Sequence, residues 1–234
     1  MKTVNRKFTK QASKEDRFII SKLSDKSNIS SYKKNMFLLG MNLGNLIVRK
    51  NPNVKYFYLV CTVEDADFLA RGIIESLKLN DKLVNISCFW NSRETAGTIG
   101  RISPVIRKYV EPYNPPKGVP GTLIVVKSLI SGACVVKTNI KEIISNVNPE
   151  NIIIAAPIMH KDAKKKLEKE FDKDIVQRFK YYSFATDNEK SDEGLVLPGL
   201  GNVYKLLGLK DQKTKNRHTP LTVKERRSFY LSAN

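Results

Sequence analysis

The chain has 234 residues, 41% of them hydrophobic and 9% aromatic, enough to bury the core of one sizeable domain. Lys and Arg number 41 against 23 Asp and Glu, a formal charge of +18, which favours anionic partners over cationic ones. No apolar run approaches the roughly 20 residues that cross a bilayer, the basic N-terminus lacks the apolar stretch of a secretory leader, and three cysteines without metal-ligand spacing (Cys61, Cys88, Cys134) read as reduced thiols of a cytoplasmic protein.

The elements follow in chain order. Residues 13–23 can form a short helix with Ile19, Ile20 and Leu23 on one face, and a longer, broadly apolar helix is expected over 31–49, stopped at Asn51-Pro52-Asn53. The run VKYFYLVCT (54–62) reads as a strand buried on both faces, 63–79 as a helix, and KLVNISCFW (82–90) as a second strand. Residues 91–120 are polar and then proline-rich, a connection long enough to be functional or mobile. Strands are expected at 121–128, 151–158 and 179–185, with helices at 135–147, 161–171 and near 202–208. Strands alternating with helices predict an α/β fold with a doubly wound, mostly parallel sheet. Ligands of such sheets lie beyond the carboxyl ends of the strands. That places three segments at one cleft: Thr62–Ala66, Lys127–Cys134, and the glycine-rich stretch GLVLPGLGN (194–202).

The charge is uneven. Residues 1–34 hold ten Lys or Arg against three acids, a net of +7, and 210–227 hold seven against two, a net of +5. Basic ends of this kind suit a polyanion such as DNA or RNA, and equally suit solvated tails without a partner. The candidate nucleic-acid contacts are Arg93, Arg101, Arg107 and Lys108 in the long connection, and Lys213, Lys215, Arg217, Arg226 and Arg227 near the end. Trp90 beside them can stack on a base or fill the core. His160 and His218, the only histidines, have no cysteine at zinc spacing.

The segments AAPIMHKDAKKKL (155–167) and YSFATDNEKSDEGLVLPGLGN (182–202) resemble the carboxyl-terminal third of uracil phosphoribosyltransferases. Ala156-Pro157 matches that family's turn, Asp187 its strand-end aspartate, and Leu195 to Gly201 its base-reading loop. Weaker likeness extends to Thr62–Ala66, similar to a pyrophosphate loop, and to 123–136, similar to a phosphoribosyl-diphosphate loop. The resemblance covers about 35–208. It implies a phosphoribosyltransferase-like domain at 31–208 with a glycine-rich hood loop, flanked by a basic extension (1–30) and a basic tail (209–234). It also implies nucleobase contacts from Leu197, Gly199, Gly201 and Asn202, phosphate contacts from Thr62, Lys127, Ser128, Ser131, Gly132 and Ala133, Mg2+ if the site is active, and a homodimer or larger assembly.

Two positions depart from the family pattern. The acid that would hold the ribose hydroxyls is Lys127, which cannot accept a hydrogen bond. The aspartate closing the hood loop is Asn202, one charge fewer near any Mg2+. Glu64 and Asp65 can compensate for these losses or simply begin a helix. The expected function is therefore binding of a nucleotide, a phosphoribosyl-diphosphate-like ligand or nucleic acid by a fold with an impaired donor site. The alternative is an active uracil-type transferase using phosphoribosyl diphosphate and Mg2+.

Overall fold

The computed structural model describes residues 6–23, 28–92, 94–96, 100–119, 121–192, 194–200, 203–209 and 211–232. A short strand, β1 (Arg6–Phe8), leads into α1 (Lys14–Lys22) and α2 (Ile29–Lys50). Ser13 caps α1 reciprocally: its hydroxyl accepts from the Asp16 N–H at 3.0 Å, and the Asp16 carboxylate accepts from the Ser13 N–H at 2.8 Å. Ile19, Ile20 and Leu23 share the expected face and are buried.

The strand and helix alternation then appears as read. β2 (Tyr56–Thr62) runs through a π-helical turn at Ala66–Ala70 into α3 (Arg71–Leu79) and β3 (Leu83–Asn91). The long connection is more structured than expected. It holds a hairpin, β4 (Glu94–Ala96) with β5 (Gly100–Ile102), and a strand, β6 (Val105–Val110), paired antiparallel with β3. Next come β7 (Gly121–Val126), β8 (Leu129–Ile130), α4 (Cys134–Val147), β9 (Pro149–Ala155), β10 (Ile158–His160), α5 (Ala163–Glu168) and α6 (Lys173–Val176). The chain continues through β11 (Phe179–Tyr182), β12 (Ala185–Asp187), β13 (Glu189–Lys190), β14 (Val196–Leu197) and α7 (Val203–Leu206) to α8 (Gln212–Arg217) and α9 (Leu221–Ser232).

The main sheet has six strands in the order β11-β9-β7-β2-β3-β6, all parallel except the edge strand β6. Its central strands are continuous apolar runs because helices cover both faces. Phe57, Leu59, Cys61, Ile86, Cys88 and Trp90 point to the side of α1, α2 and α3. Tyr58, Val60, Leu123, Val125, Ile152 and Ile154 point to α4, as the two-residue period of a strand requires. α2 and α3 pack at glycine-to-backbone distance: a Cβ on Gly72 would lie 2.3 Å from the Phe37 carbonyl oxygen, so only glycine fits there.

Three core strands do not end at the sheet margin. β7, β9 and β11 break at 127–128, 156–157 and 183–184, then resume as β8, β10 and β12. The small sheet so formed, β12-β10-β8, repeats the order of its parent strands, and β1 joins it antiparallel at β12. The Ala156-Pro157 turn is the middle break. There the Pro157 carbonyl accepts from the N–H groups of Phe184 and Ala185 at 3.1 and 3.0 Å, tying two breaks together.

The basic ends differ from the solvated tails that charge alone suggests. β1 and α1 belong to the folded body, and α8 and α9 dock on it with Val223 wholly buried. Asp67 fixes the start of α9 by accepting from the Leu221 and Thr222 N–H groups at 3.0 and 2.8 Å. Among the described residues, no helix is long and apolar enough to cross a membrane.

Candidate functional site

The carboxyl ends of β2 and β7 meet in a buried ionic cluster. The Lys127 ammonium donates to Asp65 Oδ2 at 2.7 Å, Glu64 Oε1 at 2.9 Å and Thr62 Oγ1 at 3.2 Å. Thr62 Oγ1 in turn donates to Asp65 Oδ2 at 2.7 Å, and the Ser128 N–H reaches Asp65 Oδ1 at 3.1 Å. From α8, the Lys215 ammonium lies 3.7 Å from Glu64 Oε2 and donates to the Asn91 carbonyl at 2.7 Å. Every member is buried, and buried charge persists in a fold only when paired. Burial by itself raises the Glu64 pKa, but Lys127 and Lys215 outweigh it and hold the carboxyl at about 2.

This cluster settles what the two acids do. Asp65 brings no side-chain cap to the following turn, so Glu64 and Asp65 are counterions of Lys127 more than helix-start charges. Of the expected phosphate contacts, Thr62 and Ser128 are buried, the Thr62 hydroxyl lying between Asp65 and Lys127 and the Ser128 N–H on Asp65, as a desolvated ammonium and carboxylate recruit the nearest donors and acceptors.

Beside the cluster opens a cleft of about 670 Å³, the size of small-molecule sites. Lys127 and Ser103, both buried, are part of its lining. Ser131, Gly132 and Ala133, three of the expected phosphate contacts, line it where the chain turns into α4. Ala133 gives no side-chain oxygen to the first-turn N–H groups of α4, so the positive end of that helix faces the cleft. Lys166 and Lys169 on or just past α5, and Lys190 on β13, complete a cationic wall. Lys190 also donates to the Ser131 carbonyl at 3.0 Å and so holds the loop before α4. Glu170, the acid in the lining, accepts from Lys137 at 2.7 Å.

The glycine-rich stretch lies on the neighbouring hairpin, where β13 pairs with β14. The cleft reaches this hairpin at Lys190, Gly194 and Leu195. Just beyond β14, Gly199 has φ +59°, and a Cβ there would meet the Val196 carbonyl oxygen at 2.1 Å, so glycine is required. Its polar groups are already engaged. The Gly199 N–H donates to Asp187 Oδ2 at 2.9 Å, and its carbonyl accepts from Arg6 at 3.0 Å. Arg6 also grips Asp187 with two bonds, at 2.7 and 2.8 Å. Leu197, the other described base contact, is half-buried in β14. Gly201, Asn202, Arg93 and the side chain of Arg101 lie outside the described residues.

The cations expected on nucleic acid divide in two. Lys215 is 2% exposed and belongs to the buried cluster. Arg226 is clamped to the buried Glu111 carboxylate and donates to the Val84 carbonyl. Arg107 stacks 4.4 Å above the Trp90 ring and donates to the Asn216 carbonyl and Thr219 hydroxyl. These three hold the C-terminal segment to the body, and Lys215, expected to face solvent, is buried. Buried or stacked acceptors compete for a cation ahead of water. Lys108, Lys213, Arg217 and Arg227 are exposed. Trp90 is a core residue with its Nε1–H on the His218 carbonyl at 2.9 Å. Among the described residues no His, Cys, Asp and Glu group could hold a metal ion.

No protein-family model and no curated protein matches this chain. Among solved structures it is similar to a hypothetical protein from Neisseria gonorrhoeae with bound ppGpp, at 14% identity and a TM-score of 0.44, covering 66% of this chain and 80% of that one. It is also similar to the L. donovani hypoxanthine-guanine phosphoribosyltransferase, at 10% identity and 0.42, covering 67% and 80%. A Staphylococcus aureus hypoxanthine phosphoribosyltransferase stands at 11% identity and 0.41, covering 66% and 74%. Likeness at these scores carries no functional reading, which rests on the cleft's own residues. Sequence reasoning missed Arg6, Lys166, Lys169 and Lys190. The lysines sat in runs that look like solvated helix and turn charge, and Arg6 sits in a three-residue strand too short to show a period.

Proposed function

We propose that the cleft binds a phosphate-bearing ligand of the nucleotide class and does not transfer a phosphoribosyl group. One observation carries this: the Lys127 ammonium sits on Glu64 and Asp65 at 2.9 and 2.7 Å, where the transferase reaction would need free acceptors. A ribose diol requires an acceptor, and an ammonium has none. A Mg2+ ion is held through carboxylate oxygens, and those that follow β2, on Glu64 and Asp65, face Lys127 and Lys215. The residues present do not suit the ion.

Phosphate binding is supported by the α4 N-terminus, the small residues Gly132 and Ala133, and Lys166, Lys169 and Lys190 around one cavity. The nucleotide class is supported by the cavity's size and by the resemblance of 155–167 and 182–202 to uracil phosphoribosyltransferases. Calorimetric titration with UMP tests the reading. Binding that is indifferent to Mg2+ and weakened at least tenfold in Lys166→Ala/Lys169→Ala is expected. Unchanged affinity in that variant would move the ligand elsewhere.

A second reading, nucleic-acid binding, is favoured by the exposed Lys213, Arg217 and Arg227 on α8 and α9. It predicts salt-steep affinity for single-stranded RNA or DNA that falls when these three are neutralised.

A further inference from the structure

The charged side chains around the cleft are of two kinds. Lys127, Lys166, Lys169 and Lys190 only donate hydrogen bonds, and among the described residues Glu170 is the one carboxylate of the lining. Ser103 and Ser131 add hydroxyls, which are neutral and therefore weaker acceptors than a carboxylate. A ligand that brings hydroxyl donors into this cleft meets its strongest side-chain acceptor in Glu170.

Glu170 is held in place with one oxygen to spare. Its Oε2 takes the Lys137 ammonium at 2.7 Å. Among the described residues no hydrogen bond engages Oε1, and the side chain is 40% exposed, so a ligand can reach that oxygen. The Lys137 N–H donates to the Ala133 carbonyl, which puts Lys137 at the end of the first turn of α4. Four residues advance a helix by about 6 Å, and a helical side chain leans back toward the N-terminus. The carboxylate is therefore anchored beside the first turn of α4, about one sugar ring from the N–H groups that would hold a phosphate. Lys137 also offsets its charge, which limits repulsion of that phosphate.

We propose that Glu170 accepts a hydroxyl of the ligand's ribose, so that the cleft selects ribonucleotides over their deoxy counterparts. This rests on the phosphate-binding reading above. The α4 N-terminus and the lysines take the phosphate, which both sugars carry alike. Glu170 reads the 2′-hydroxyl, the donor that deoxyribose lacks. A deoxyribose would take water away from Oε1 and return no hydrogen bond, and a site built around such a bond rejects the analogue without it.

The experiment is calorimetric titration of the full chain with UMP and dUMP, repeated in Glu170→Ala and Glu170→Gln, with each fold checked by circular dichroism. UMP is expected to bind about tenfold more tightly than dUMP, the value of one hydrogen bond to a charged group. Glu170→Ala should weaken UMP and bring the two ligands within about twofold of each other. Glu170→Gln keeps a neutral acceptor and should retain part of the preference. Lys166→Ala/Lys169→Ala should weaken both ligands alike and leave their ratio unchanged. Equal binding of UMP and dUMP by the unaltered protein, or an undiminished preference in Glu170→Ala, overturns the inference while leaving phosphate binding intact. Failure of both ligands on the unaltered protein overturns both readings.

Discussion

The Lys127 ammonium lies 2.7 Å from Asp65 Oδ2, and both side chains are buried at the carboxyl end of the parallel sheet. The pair joins the loops after β2 and β7, the two segments a sheet of this topology brings to its ligand crevice. With Glu64 and Lys215 it makes a balanced group of two acids and two cations. The sheet's crevice is thus filled at its floor by internal ion pairs and left open at the α4 end.

Such a group predicts a steep penalty for partial removal. Lys127→Met deletes one cation and leaves Asp65 buried without its strongest partner. The expected loss is about 3–5 kcal/mol of unfolding free energy, read by urea denaturation. Adding Asp65→Asn to Lys127→Met should recover most of it, because the amide needs no counterion and Glu64 keeps Lys215 as its own. A single variant as stable as the unaltered chain would mean the cluster is not desolvated in solution.

Acid sensitivity follows from Glu64. Its folded pKa of about 2 lies below the ordinary value of 4.5. The stabilisation it gives is complete above pH 4.5 and is lost as pH falls toward 2, since the unfolded chain takes up the proton first. Stability should therefore rise with pH across that window, and Glu64→Gln should flatten the slope. Thermal melts between pH 2 and pH 6 read both. An unchanged slope in the variant would assign the acid transition to other carboxylates.

Arg226 anchors α9 through a buried acceptor. Its guanidinium takes both Glu111 oxygens, and Glu111 is also bonded to the Ile86 N–H at 2.8 Å and the Tyr109 hydroxyl at 2.9 Å. Arg226→Ala should cost roughly 3 kcal/mol by leaving that carboxylate short of its counterion. Arg226→Lys should restore less than half, because an ammonium cannot make the two-pronged bond. Denaturation midpoints with Trp90 fluorescence as the probe measure both, since the Trp90 indole sits under the same C-terminal segment.

The sheet was legible in the sequence because its strands are buried on both faces: LIVV and IIIA can be little else between helical repeats. The cleft's position followed from that topology. What the sequence hid was pairing at a distance. Lys127 read as a lost acid, but nothing in the local pattern says that Glu64 and Asp65, more than 60 residues earlier, would receive it. Lys215 and Arg226 read as tail charge, because composition cannot separate a lysine in water from one folded onto a carboxylate. Arg6 was invisible for the same reason, its partner Asp187 being 181 residues away.

The most direct test of the central claim is calorimetric titration with phosphoribosyl diphosphate, with and without Mg2+. The ion cluster predicts that Mg2+ leaves the affinity unchanged within about twofold and that adding uracil releases no pyrophosphate. Tight binding that requires Mg2+, with uracil-dependent pyrophosphate release, would contradict it, because Glu64 and Asp65 would then have to leave Lys127 and Lys215 to serve the metal.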